Sequence, residues 1–292
     1  MKAAPHYTIK SPSELMAFLT EVMPGKSRTS IKSLLSHSVY VNGKAVSKYN
    51  YLLKVGDKVS IGNADKPDEV IASDLTILFE DASIIVIDKP SGLLSIATKD
   101  EKLDTAYRRV SDYVKNQNSK NRVFVLHRLD LETSGVMMFA KSAEIQSKMQ
   151  RDWDNVVTDR QYLAVVEGKI DPSAGVLIHN LVEGPTGIVH VSHNPEVGQK
   201  AITHYATEKM NDDYSLLSLN LETGRKNQIR VQLKEVGFII VGDKKYGSKS
   251  NPINRLALHA QKLSFIHPIS GKELSFSSSI PKKMGFLVKI RS

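Results

Sequence analysis

A single carboxylate stands beside a guanidinium and an imidazole in the run His127-Arg128-Leu129-Asp130-Leu131-Glu132-Thr133-Ser134-Gly135. Residues 123–126 before it are β-branched, aromatic and aliphatic, and residues 136–140 after it are apolar. That pattern predicts a strand, a bend and a second strand, with Asp130 at the bend. An aspartate held there can act as a nucleophile or as a proton acceptor. The same residues also suit a solvated turn in which Asp130 and Thr133 bond only local backbone, and the run by itself leaves both readings open. His127 is expected to orient the loop by hydrogen bonding rather than to shuttle protons.

The elements that would position this bend follow from periodicity. Residues 84–87 form a continuous apolar strand running into Asp88-Lys89-Pro90-Ser91-Gly92, where proline and glycine force a turn and hold Lys89 at a strand end. In residues 142–153, Ile145, Met149 and Trp153 recur four apart, which predicts an amphipathic helix with that stripe in the core. Residues 162–166 read as a strand carrying Tyr162. Leu216, Leu219 and Leu221 lie in another strand that ends at Thr223-Gly224-Arg225. From residue 226 to 236 the spacing of Ile229, Leu233 and Val236 is helical, putting Arg230 one turn into a helix. Gly242-Asp243 reads as a turn. Strands and helices interleave without a regular β-α-β rhythm, so an α+β fold is expected, with a mixed, largely antiparallel central sheet flanked by helices and loops.

The N-terminal part reads differently. Ser11-Pro12-Ser13-Glu14 has the form of a capping box that starts a first helix. Residues 27–36 predict a second, with Ile31, Leu34 and Leu35 on one face and Arg28 and Lys32 on the other. Asn42-Gly43 between β-prone runs predicts a hairpin, and residues 58–61 another strand. The formal net charge is +9 and the pI near 9.4. Between residues 26 and 58 lie Lys26, Arg28, Lys32, Lys44, Lys48, Lys54 and Lys58 against one acid, Asp57. This basic segment suits a phosphate backbone or an anionic membrane surface, and equally a merely solvated face; on the first reading the helix face carrying Arg28 and Lys32 lies along RNA. The division expected is residues 1–66 as a small α/β-hairpin domain, 67–74 as a polar linker and 75–292 as the larger domain.

Composition removes several classes of function. The chain is 41% hydrophobic and 24% charged, and contains no cysteine. Disulfides, thiolate zinc sites and cysteine nucleophiles are therefore excluded. No apolar run reaches the length of a membrane span, and the first ten residues lack the apolar core of a secretory signal, so a cytoplasmic location and no membrane partner are expected. His179, His190, His193 and His204 have no helical ligand spacing and no clustered acids, so they are read as surface or core residues rather than metal ligands.

Several segments, taken in order, resemble the RluA-type pseudouridine synthases. They are Asp88-Lys89-Pro90-Ser91-Gly92-Leu93-Leu94, His127-Arg128-Leu129-Asp130 with Thr133-Ser134-Gly135, Arg160-Gln161-Tyr162-Leu163-Ala164, Thr223-Gly224-Arg225 with Gln228-Ile229-Arg230, Gly242-Asp243 with Tyr246-Gly247, and Arg255-Leu256-Ala257-Leu258-His259-Ala260. The resemblance spans roughly residues 75–270, and dispersed motifs in one order are far more specific than any one of them. The N-terminal unit is similar to the S4 RNA-binding domain. By position, the resemblance implies that Asp130 is the catalytic aspartate, Tyr162 the active-site tyrosine and Arg230 the arginine paired with the aspartate. It implies that Arg128 takes the place of a flipped base, that Lys89 and Pro90 shape and support the site, and that Leu258 walls the uracil pocket. Where the family often has a basic residue after its aspartate, this chain has Leu131-Glu132. Where it often has Arg-Thr-His, this chain has Arg225-Lys226-Asn227. Both departures bear on local RNA contacts, hence on the substrate site.

The implied reaction breaks the N1–C1′ bond of a uridine, turns the uracil and rejoins it through C5. It involves no net redox change and no added group, so no cofactor and no metal are expected. The carboxylate serves by covalent capture at the sugar or by proton transfer toward a glycal, and both need it ionised. An adjacent guanidinium favours that state. The expected substrate is structured RNA, ribosomal RNA first because an S4-like unit is present and transfer RNA second, with no obligate protein partner. A non-catalytic RNA-binding or ribosome-assembly factor is the rival from another class, and a metal-dependent hydrolase built on Asp130 and histidines a third.

Overall fold

In the computed structural model, residues 6–35, 39–42, 44–61, 75–98 and 104–289 are described. By contacts the described chain separates into two compact units, one from residues 1–76 and 94–122, the other from 77–93 and 123–292.

The first unit contains helices Leu15–Val22 and Arg28–Leu35 and a four-stranded sheet in the order His6–Thr8, Lys58–Ile61, Val39–Val41, Lys44–Ala45. Leu15, Leu19, Ile31, Leu35, Val39 and Val59 form its core. The first helix starts differently from the capping-box expectation. Ser13–Glu14 pairs as a short strand with Leu52–Leu53, and no side chain caps the helix. The N–H groups of Leu15 and Met16 donate instead to the carbonyls of Tyr51 and Tyr49. Backbone acceptors from a distant loop thus satisfy donors that a side-chain cap would otherwise take. The second helix follows its expectation, with Ser27 Oγ accepting from the Ser30 N–H and with Arg28 and Lys32 exposed. Asn42 adopts φ 51 at the expected hairpin turn; Gly43 and the linker 67–74 lie outside the described residues. Helix Ala106–Gln117, capped by Thr105, clusters with this unit.

The second unit is organised by a mixed sheet of eleven strands among the described residues. Its order from edge to edge is Val189–Ser192, Ala174–Glu183, Gln199–Met210, Tyr214–Leu221, Val157–Glu167, Leu258–Ile266, Ser134–Ala140, Ile84–Lys89, Thr76–Glu80. Glu273–Ser277 pairs onto Leu258–Ile266, and Phe124–Val125 onto Ser134–Ala140. Most of these pairings are antiparallel, as expected, while Ser134–Ala140 and Leu258–Ile266 run parallel. Every residue of Ser134–Ala140 is buried, which explains its unbroken apolar run. Gly135 has φ 118, and a Cβ there would lie 2.0 Å from the Ala260 carbonyl oxygen, so only glycine lets the parallel pair close.

Helix Ala143–Arg151 is capped by Ser142, whose hydroxyl accepts from the Ile145 N–H. It buries Ile145 and Met149, while Trp153 is only partly buried at the start of a separate short helix, Trp153–Val156. Gln146 donates to the Val125 carbonyl, and Gln150 to those of Val125 and Leu126. The helix therefore fixes the strand that leads into the Asp130 bend. Helix Gln228–Glu235 begins two residues later than its periodicity suggests, because Asn227 is left-handed at φ 52. Among the described residues, no helix is long and apolar enough to cross a membrane.

Candidate active site

Asp130 sits where the sequence puts it, in the loop between the paired strands Phe124–Val125 and Ser134–Ala140. Hydrogen bonds hold this loop from several sides. His127 Nε2 accepts from the Met138 N–H at 3.0 Å, an interaction that requires a neutral ring nitrogen, and burial, followed by the Arg160 charge, pushes its pKa down to about 4. Lys89 Nζ donates to the carbonyls of Leu93, Pro90 and Leu131, so its three N–H bonds cap three acceptors. Burial, then Arg255, lowers its pKa to about 7, with Asp130 opposing. Ser91 Oγ donates to the Glu132 carbonyl and the Gly92 N–H to that of Leu131. On the far side of the loop, Arg255 donates to Ser134 Oγ and to the Leu258 carbonyl.

The Asp130 side chain is 31% exposed, whereas Arg230 behind it is 7% exposed. Arg230 Nη1 donates to Asp130 Oδ2 at 3.1 Å. On its other edge Arg230 makes a bidentate pair with Asp243, Nε to Oδ2 at 2.8 Å and Nη2 to Oδ1 at 2.7 Å. Tyr246 lies over the guanidinium with its ring centre 5.1 Å from Cζ. Burial alone would lower the Arg230 pKa, but Asp243 and then Asp130 raise it, so the cation is permanent. Asn227 Nδ2 donates to the same Asp130 Oδ2 at 2.6 Å.

Tyr162 enters from strand Val157–Glu167. The register against Leu258–Ile266 slips at this point, with Gln161 opposite Lys262 and Tyr162 opposite Ala260. The extra residue on the partner strand makes a bulge, a device that re-aims side chains. Burial pushes the phenol up to about 12; Arg160 opposes this and Asp130 reinforces it.

Arg128, Asp130, Tyr162, Asn227, Arg230 and Leu258 line one hollow of about 70 Å3. It adjoins a cleft of about 730 Å3 bordered by Arg128, Gln150, Trp153, Arg160, Arg225 and Lys226, with Asp130 and Tyr162 common to both. Arg128 is exposed and Leu258 buried. The cleft is rich in guanidinium and ammonium groups beside the aromatic rings of Trp153 and Tyr162, a surface that matches a phosphate backbone and a base.

Asp130, Tyr162, Arg230, Arg128 and Leu258 are thus brought together. Lys89, expected with Pro90 to shape and support the site, is fully buried under the loop and braces it through three carbonyls, with Pro90 half-buried beside it. Arg28 and Lys32 belong to the other unit. Two residues at the centre of the arrangement escape a reading of the sequence. Asp243 looks like part of a turn, and Asn227 like a departure at the RNA surface. The signal available for Asp243 was Gly242 beside it, at φ 77 and with room for no side chain against the Arg255 carbonyl. Among the described residues, no group of three His, Asp or Glu side chains could hold a metal ion.

Residues 83–235 match the family model described as RNA pseudouridylate synthase. The protein named Uncharacterized RNA pseudouridine synthase YjbO of Bacillus subtilis is 32% identical over 256 residues, which cover 85% of this chain and 89% of that protein. Ribosomal large subunit pseudouridine synthase D of Escherichia coli is 32% identical over 291 residues, covering 93% and 88%. Among solved structures, Human RNA Pseudouridylate Synthase Domain Containing 4 aligns with a TM-score of 0.59 at 24% identity, covering 72% of this chain and 90% of that one, a likeness of fold.

Proposed function

The chain belongs to the RNA pseudouridylate synthase family, and we propose that this RNA-modifying isomerase acts on uridines in folded ribosomal RNA, with Asp130, Tyr162 and Arg230 as its reactive set. The observation that carries the assignment of roles is the Asp130 carboxylate: gripped through one oxygen by a permanent cation, it lines a hollow shared with Tyr162 and Leu258.

A stacked uridine cannot reach this hollow, so it must be swung out of the RNA, at a cost of a few kcal/mol. Arg128, exposed beside the hollow, fills the vacated place. The uracil lies between the Tyr162 ring and Leu258, and Asp130 acts at the ribose while Arg230 pairs with it through Oδ2. With its phenol neutral, Tyr162 contributes stacking and a hydroxyl that relays the C5 proton after rejoining. Residues 1–66 form the S4-like RNA-binding domain, joined through 67–74 to the catalytic domain 75–292. The preference for ribosomal RNA is supported by the name of the Escherichia coli relative and by the basic segment.

Uridine isomerisation maps of ribosomal and transfer RNA, compared between cells with the wild-type gene and cells with Asp130→Asn, test both parts. Sites lost from ribosomal RNA support the proposal. Sites lost only from transfer RNA overturn the substrate, and unchanged maps overturn the role of Asp130.

A further inference from the structure

We propose that Asn227 is a positioning residue that clamps Asp130 Oδ2 and so leaves Oδ1 as the oxygen that acts on the nucleoside. The inference rests on the reading of Asp130 as the catalytic carboxylate.

Asn227 occupies the cap position of helix Gln228–Glu235, a place where an asparagine side chain ordinarily accepts from its own helix. Here it makes no such cap. It reaches instead across 97 residues of sequence to Asp130. Its amide has one possible orientation. Oδ1 of Asn227 lies 3.0 Å from Lys245 Nζ and 3.2 Å from the Tyr246 hydroxyl, and an ammonium can only donate. The nitrogen must then face Asp130, and an ionised carboxylate can only accept. Lys245 and Tyr246 thereby fix the Asn227 amide, and Asn227 fixes the carboxylate rotamer. The left-handed backbone at φ 52 suits asparagine, and the residue is 9% exposed.

Arg230, three residues further along, donates to the same oxygen. Oδ2 is thus held by two donors from one helix start, while Oδ1 accepts from no donor among the described residues. The two oxygens differ in reactivity as a result: the one carrying both hydrogen bonds is the weaker base and nucleophile. Arg230, Tyr162, Lys89, Lys245 and Tyr246 are the titratable groups whose charge couples to Asp130, with Asp243 behind Arg230.

The test uses the full chain with a uridine-containing RNA stem-loop shown to be a substrate of the wild-type enzyme. Asn227→Asp keeps the shape and tolerates the left-handed backbone, but turns a donor into a second negative charge against Oδ2. The acid limb of its kcat/KM profile should move to higher pH by about one unit or more, and kcat should fall about ten-fold or more, with KM within about two-fold of wild type. Asn227→Gly, which accepts φ 52 freely, removes the donor without the charge. It should lower kcat similarly at unchanged KM, and it decides the matter if Asn227→Asp does not fold by circular dichroism. Wild-type kcat and acid limb in a folded Asn227→Asp, or wild-type kcat in Asn227→Gly, overturns the positioning role. Asp130→Asn is run beside them: an active Asp130→Asn defeats the parent reading instead, whatever the Asn227 variants do.

Discussion

Tyr162 and His127 are partly buried titratable groups that line one cleft with Asp130, and desolvation holds each in its neutral form. For Tyr162 this limits the hydroxyl to relaying a proton, since a phenol raised to about 12 does not supply a phenolate near neutrality. Tyr162→Phe keeps the ring and loses the relay. It should bind RNA as wild type does, yet lower turnover about 100-fold or more, with unreleased rearranged RNA accumulating in single-turnover gels; turnover at the normal rate would remove the hydroxyl from the mechanism. His127 makes a prediction about stability. Its folded-state pKa of about 4 lies below the ordinary 6.5, so as pH falls the unfolded chain takes up the proton first. The contribution of this site is complete above 6.5 and is lost as pH falls through about 4. Urea midpoints measured across that window should decline in wild type and decline less in His127→Gln.

Elements decide how far such residues can be read in advance. The strands around Asp130 were legible because Ile84–Lys89 and Ser134–Ala140 are central strands whose burial writes itself as apolar runs. Helix Ala143–Arg151 was legible because Ile145 and Met149 recur four apart on the face it buries. The capping box at Ser11 failed because Ser13–Glu14 pairs as a strand with Leu52–Leu53, so the helix starts only at Leu15, with the Leu15 and Met16 N–H groups donating to carbonyls of Tyr51 and Tyr49 far along the chain. Asn227 and Asp243 were illegible for the same reason on a larger scale. Neither belongs to a periodic face, and each acquires its role from a side chain in another element. The tightest element-level constraint is the parallel pairing at Gly135. Gly135→Ala places a methyl group against the Ala260 carbonyl in a backbone region closed to alanine. It should cost about 3 kcal/mol or more of stability, read from denaturant midpoints, and lower activity by moving the Asp130 loop, which ends two residues before it.

At the scale of the whole molecule, six of the nine excess positive charges fall within residues 26–58. If this segment binds phosphates, replacing Arg28 and Lys32 by glutamine should weaken affinity for all folded RNAs alike. The slope of log affinity against log salt should decrease by about 1 per residue, with kcat unchanged; an unaltered slope would mean that both side chains face only solvent. Contacts divide the molecule less simply than sequence order does, since helix Ala106–Gln117 follows the first strands of the catalytic region yet clusters with the N-terminal unit. The two-sided grip of Asp243 on Arg230 has a practical result. Because Asp243 neutralises the guanidinium by itself, an Asp130→Asn chain strands no buried cation. On the proposed role of Asp130, that chain should keep its shape and its hold on RNA while losing the chemistry, which would make it a bait: crosslinked in living cells and recovered with its cargo, it should report native targets as footprints.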